Sequence, residues 1–254
     1  MSTYLPDTNV VINYGKDLAA KARIDRACAA GSKFVIAPPV LTELTVGVVK
    51  GGATYFAQNK IIFEWLRSQS ANILDLPRPF MGKVLGFPSK KSDVDVGHHI
   101  QRIELVTQAS DFANFLKRKD AAGSLWPDIE KSAEVHEQQL DKEFAALQRI
   151  AKLKPGSYDL AAQFAKTFKV NGKSPDPNTF RSHFSAAMEY AETTIMRIRG
   201  GANPRKNDPG RYGDFQLFFY LADPRIQVLT CEDFSSDTKN SPQRSRIVKL
   251  ESLP

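Results

Sequence analysis

Cysteine is scarce. The chain has two in 254 residues, Cys28 and Cys231. They stand far apart and in no metal-ligating spacing, so neither a disulfide framework nor a thiolate zinc site is encoded, and a reducing compartment is the simpler home. Histidine numbers only four. His98, His99 and His136 have no partner at ligand spacing, and His183 falls beside Phe180 and Phe184 on an apolar stripe, where packing accounts for it. No Ser-His-Asp or Cys-His arrangement argues for a side-chain nucleophile. No apolar run approaches the roughly 20 residues of a membrane span. The amino terminus lacks a basic start, and its apolar run is interrupted by Pro6, Asp7 and Asn9, which argues against a signal peptide. Together these absences predict a soluble, cytoplasmic protein with no membrane partner.

Hydrophobic residues make up 42% of the chain and charged residues 25%, so a packed core is within reach. The formal net charge of +7 is a weak tilt towards a polyanionic partner such as RNA or DNA. Length allows one large domain, or a core with a sizeable insertion.

The opening stretch TYLPDTNVVINY organises the rest. A short apolar run ends at Pro6, Asp7-Thr8-Asn9 follows, and helix-compatible residues resume at Val10. This reads as a strand that stops, leaves a carboxylate at its carboxyl end, and turns into a helix. A second such unit follows: a helix over Asp17 to Ala30 ended by Gly31, a strand over Lys33 to Ala37, and a helix beginning at Pro38 with Glu43 about one turn inside. Ala53 to Arg67 reads as a further helix and Ala71 to Leu76 as a strand. Strands alternating with helices predict a parallel sheet.

From about Pro77 to Gly201 the pattern turns helical, with stripes such as Leu140-Phe144-Leu147-Ala151 and the long series from Phe180 to Ile198. A Gly-, Pro- and Asn-rich loop, GGANPRKNDPGRYG, carries Arg205, Lys206 and Arg211. Asp214 then opens an apolar helix. Ile226 to Thr230 is a strand followed by Cys231-Glu232-Asp233, and Ile247 to Leu250 is a last short edge strand.

Four acidic positions therefore fall in equivalent places. Asp7, Glu43, Asp214 and Glu232 (with Asp233 beside it) all lie at carboxyl ends of strands or at helix starts. Each alone has a bland use, Asp as a helix N-cap above all. If the strands are parallel, the acids share an edge, where ligands bind in α/β sheets. Clustered carboxylates repel and raise one another's pKa, and a hard divalent cation such as Mg²⁺ or Mn²⁺ relieves this.

The ordered set — DTN after the first strand, a Glu in a PxxxxEL-type helix, GD before an apolar helix, and LT followed by an acid after the last core strand — resembles the PIN-domain nucleases. The match covers Thr3 to about Lys50 and Gly213 to Phe234. The resemblance implies a three-layer α/β/α fold with a central, mainly parallel sheet. Residues 1–76 and 201–254 would form the PIN-like core and 77–200 a helical insertion that small members lack. It implies Asp7, Glu43, Asp214 and Glu232 or Asp233 as metal-binding acids for Mg²⁺ or Mn²⁺, supported by Thr8, Asn9 and Thr230. It also implies an endoribonuclease, often the toxin of a toxin–antitoxin pair, with an RNA substrate and a protein antitoxin as partners; a homodimer is a separate expectation. Arg205, Lys206 and Arg211 are candidate contacts to RNA phosphates. Two alternatives stand beside it: a structure-specific DNA nuclease, and an inactive scaffold that binds nucleic acid or protein.

Overall fold

The computed structural model describes residues 2–69, 72–87, 96–122, 127–168, 174–207 and 214–253. The chain enters as strand β1 (Thr3–Pro6). Asp7 ends it in an extended conformation, and its side chain accepts the Val10 N–H to cap helix α1 (Thr8–Lys16). Helix α2 (Leu18–Ala29) is capped by Asp17, which accepts from Ala19 N. Gly31 follows that helix at φ 85°, a left-handed conformation glycine adopts without strain. Strand β2 is short, Lys33–Phe34.

Helix α3 (Pro38–Ser68) begins with proline in its first turn, as expected. The two helices read from Pro38 and from Ala53 are one long helix kinked at Gly52 (φ 69°, ψ −159°), where glycine turns the chain without ending it. The strand expected over Ala71 to Leu76 is reduced to a single parallel bridge, Ile73 with Ile36. Ala71 lies outside the described residues. The pairing stops there because Pro38 starts a helix two residues after Ile36, which leaves no further ladder to join.

Among the described residues eight helices follow: α4 (Pro77–Val84), α5 (Val96–Thr107), α6 (Phe112–Ala121), α7 (Pro127–Ala151), α8 (Leu160–Thr167), α9 (Pro177–His183), α10 (Ser185–Arg199) and α11 (Pro204–Asn207). Asp111, Asp159 and Asp176 cap α6, α8 and α9. Among the described residues of 77–200 there is no strand, as the periodicity predicts. The long stripe from Phe180 to Ile198 is two helices, divided at Phe184, which leaves helical geometry at ψ 35°. The apolar segment after Asp214 is a 3₁₀ helix, Phe215–Ala222, and Asp214 makes no capping bond to it. Strand β3 (Ile226–Thr230) and strand β4 (Ile247–Lys249) complete the sheet.

The fold is α/β, with four strands in the order β2-β1-β3-β4, every pair parallel. Successive strand residues point to opposite faces. Leu5 and Pro6 on β1, and Val228, Leu229 and Thr230 on β3, are all buried, so both faces of the central strands are covered. The buried apolar residues form one continuous core from β1 to the tail after β4. Among the described residues no helix is long and apolar enough to cross a membrane.

Candidate functional site

The strand order sets the position of the site. From β1 the chain moves to β2 on one side, and β3 later adds on the other side of β1. The segments that leave β1 and β3 at their carboxyl ends therefore part, and crevices that bind ligands form where a parallel sheet reverses its order in this way. The register pairs Pro6 with Leu229, and Asp7 N donates to Leu229 O at 2.9 Å, so the pairing runs one residue past β1. Asp7 on one strand end and Thr230, Cys231 and Glu232 on the other flank this point.

Asp7 is fully buried. One carboxylate oxygen, Oδ1, accepts the Val10 N–H at 2.7 Å. The other, Oδ2, is buried and receives no donor at hydrogen-bonding geometry among the described residues. Burial pushes the Asp7 carboxyl above its ordinary range. The Thr230 side chain and the N–H groups of Val10 and Cys231 pull it back, and the negative charge of Glu232 raises it again. The bland reading of Asp7 as a helix cap is thus correct for one oxygen and silent about the other.

Thr8 donates its hydroxyl to Glu43 Oε2, which ties the exposed glutamate of α3 to the residue next to Asp7. Thr230 is buried, and its Oγ1 accepts from Glu232 N at 2.9 Å, which shapes the turn after β3. Glu232 is half-buried and is the acid whose charge acts on Asp7. Asp233 is exposed. It accepts from Ser235 N at 2.9 Å and pairs with Lys249 at 3.2 Å, and these groups, Ser235 first, hold its carboxyl well below the usual range. Asn9 is exposed. Asp214 is half-buried at the start of the 3₁₀ helix.

The donors match a hard divalent cation in kind, because Asp7 offers a buried carboxylate oxygen that takes no hydrogen bond at full geometry among the described residues. They are not drawn together in number: among the described residues no three acids, histidines or cysteines gather closely enough to hold a metal ion.

The bases of the preceding loop have separate positions. Arg205, on α11, is bonded through Nε to Asp141 of α7 at 2.9 Å and is largely covered. Lys206 is exposed, while Arg211, with Asp208 and Gly213, lies outside the described residues.

One contribution was hidden in the sequence. Helix α10 presents Ser185, Glu189, Thr193 and Arg197, each one turn from the next, to the tail that follows Glu232. Ser185 bonds Ser241 at 2.8 Å, Glu189 accepts from Asn240 N at 2.7 Å, Thr193 donates to Asp237 O, and Arg197 pairs with Asp237 at 2.6 Å. Phe234 packs edge-on against Phe218 and Tyr190. The turn bearing Glu232 is thereby anchored on a helix from the middle of the chain. A polar residue every fourth position was the available signal, hidden because the apolar stripe of the same helix dominates its pattern.

Comparison with protein-family models, curated proteins and solved structures found no match to this chain.

Proposed function

We propose that the protein is a divalent-metal-dependent nuclease that hydrolyses RNA. The observation that carries this is Asp7: a buried carboxylate whose Oδ2 takes no hydrogen bond at full geometry among the described residues, with Thr230 and the Cys231 N–H close by, set where the order of a parallel sheet reverses and coupled to Glu232 across it. Asp7 and Glu232 would hold the cation, with Glu43 kept nearby by Thr8. Mg²⁺ or Mn²⁺, when bound, supplies an activated water and offsets charge building on the phosphoryl group. Thr230 fixes the turn that presents Glu232, and α10 fixes the tail behind it. RNA as substrate, and a toxin role with its antitoxin, follow from the resemblance of the DTN, Glu43, Asp214 and Glu232 set to PIN-domain nucleases.

The test is cleavage of a labelled RNA pool by wild type and by Asp7→Asn, each with Mn²⁺ and with EDTA. Cleavage by wild type that is lost in EDTA and in the variant is the expected result. Cleavage retained by Asp7→Asn overturns the proposal.

The separation of the acids favours a second reading, a binding scaffold without metal chemistry. Calorimetric titration with Mn²⁺ distinguishes the two, since a scaffold takes up none at the Asp7 edge.

A further inference from the structure

A cavity of about 200 Å³ adjoins the Asp7 edge. Thr230 and Cys231, the residues beside the Asp7 carboxylate, form part of its wall. Asn13 with Asp17, Ala19 and Ala20 at the start of α2 forms another, and Arg23, Lys249, Leu250 and Glu251 complete it. Pockets that bury a drug-sized ligand run to about 300–1,000 Å³, so this one takes a single ring system.

Its chemistry selects against a phosphate. Arg23 and Lys249 are matched by Asp17 and Glu251, so the lining has no net charge, and Lys249 is already paired with Asp233. What the lining offers is a set of hydrogen-bonding groups beside the apolar Ala19, Ala20 and Leu250. Asp17 spends Oδ1 on Ala19 N at 2.8 Å, which leaves Oδ2 as an acceptor. Asn13 donates Nδ2 to Cys231 Sγ at 3.2 Å, which leaves its carbonyl as another. Arg23 is held by one nitrogen, Nη1, on the Glu251 carbonyl at 2.7 Å, so the rest of its fork is available to donate.

We propose that this cavity binds a guanine base of the RNA strand beside the bond to be cut. The inference rests on the nuclease reading for its place in the reaction. Guanine carries two N–H donors along one edge, at N1 and N2, for a carboxylate and a carbonyl, and two adjacent acceptors, O6 and N7, for an arginine fork. Adenine lacks the acceptor pair, and cytosine offers one amine where guanine offers two N–H groups. Unstacked bases of single-stranded RNA are read on these edges.

The experiment is an NMR titration of wild-type protein in EDTA with the four nucleoside 5′-monophosphates, so that metal chemistry is silent and the shared phosphate cancels. Guanosine monophosphate is expected to bind about tenfold more tightly than the others, shifting the Asn13, Thr230 and Cys231 resonances. Asp17→Asn keeps the helix cap and is expected to erase the preference. Equal binding of all four nucleotides, no binding of the guanine nucleotide, or a preference unchanged in Asp17→Asn overturns the inference. A protein that prefers guanine yet cuts no RNA retains the cavity and rejects the nuclease. One that cuts RNA without a base preference in the titration does the reverse.

Discussion

The Asp237 carboxylate lies 2.6 Å from the Arg197 guanidinium and is wholly shielded from solvent, while Arg197 keeps about a third of its side chain exposed. The pair joins the tail behind Glu232 to α10. Removing one partner of a buried ion pair costs about 3–5 kcal/mol. The exposure of Arg197 lets water reach the gap, so Arg197→Ala is expected to cost less, about 2–3 kcal/mol. Urea unfolding measures it. Replacing both residues by apolar ones is expected to recover much of the loss, and a double variant as unstable as Arg197→Ala would show that the charge is not what matters.

Asp7 gives a stability difference with a definite sign. Its folded pKa is raised above the ordinary 3.8, mainly by burial. Below that value both states hold the proton and the penalty is absent. As pH climbs from there towards the raised folded value, the unfolded chain ionises first and the native state loses stability. Asp7→Asn keeps an oxygen for the Val10 N–H and cannot ionise. It is expected to be more stable than wild type at pH 7, with the gap closing near and below pH 3.8. Thermal unfolding of both proteins across this range checks it, and a gap that widens towards acid is the contrary result. Added Mn²⁺ is expected to stabilise wild type, by about 2.7 kcal/mol at a hundred times its Kd, and to leave Asp7→Asn unmoved.

Gly15 of α1 lies against Ile62 of α3. A Cβ there would lie 2.6 Å from Ile62 Cγ1, and Ile62 is completely buried. Alanine is the better helix former by about 0.5–1 kcal/mol, but the clash with a β-branched, enclosed side chain is worth about 1–3 kcal/mol. Gly15→Ala is expected to lower the melting temperature. Ile62→Val in the same chain is expected to restore part of it.

Cys231 stands at the surface yet is a poor nucleophile. Burial of its thiol first, then the charge of Asp7, pushes its pKa up to about 11 from the ordinary 9.0. The thiolate is the reactive form, so at pH 8 its population falls about a hundredfold below that of an ordinary thiol. Iodoacetamide labelling followed by mass spectrometry of the Cys231 peptide is expected to run slower by that factor than labelling of an unstructured thiol. A rate within tenfold would mean that the thiol is not buried beside the Asp7 carboxylate as the structure has it.

Much of the fold was legible because its signals are local. Asp7 after Pro6, Gly31 after α2 and Pro38 at the start of α3 are each residue types whose backbone chemistry stops or starts an element. What failed was set by distant partners. Nothing near Ile73 reveals that its neighbouring strand ends at Ile36, and nothing near Phe184 reveals that a continuous stripe breaks there to fit around Phe180 and Phe219. The same division runs through the site. Asp7 and Glu232 can be picked out from their positions after strands, but their coupling depends on a register across the sheet. Glu232 and Asp233 are adjacent and alike in sequence. Ser235 and Lys249, the latter on the next strand, hold Asp233 in place.

The pairing of β1 with β3 also governs when the protein becomes itself. Thr3 meets Ile226, so the strand made first waits for one made near the far end of the chain. Pairings this remote in sequence are slow to form, since the loop between them must close before any contact rewards it. A growing chain that has not reached residue 230 lacks Thr230, Cys231 and Glu232, and so has no second wall for the crevice. Chemistry that needs Glu232 beside Asp7 has to wait for the completed sheet.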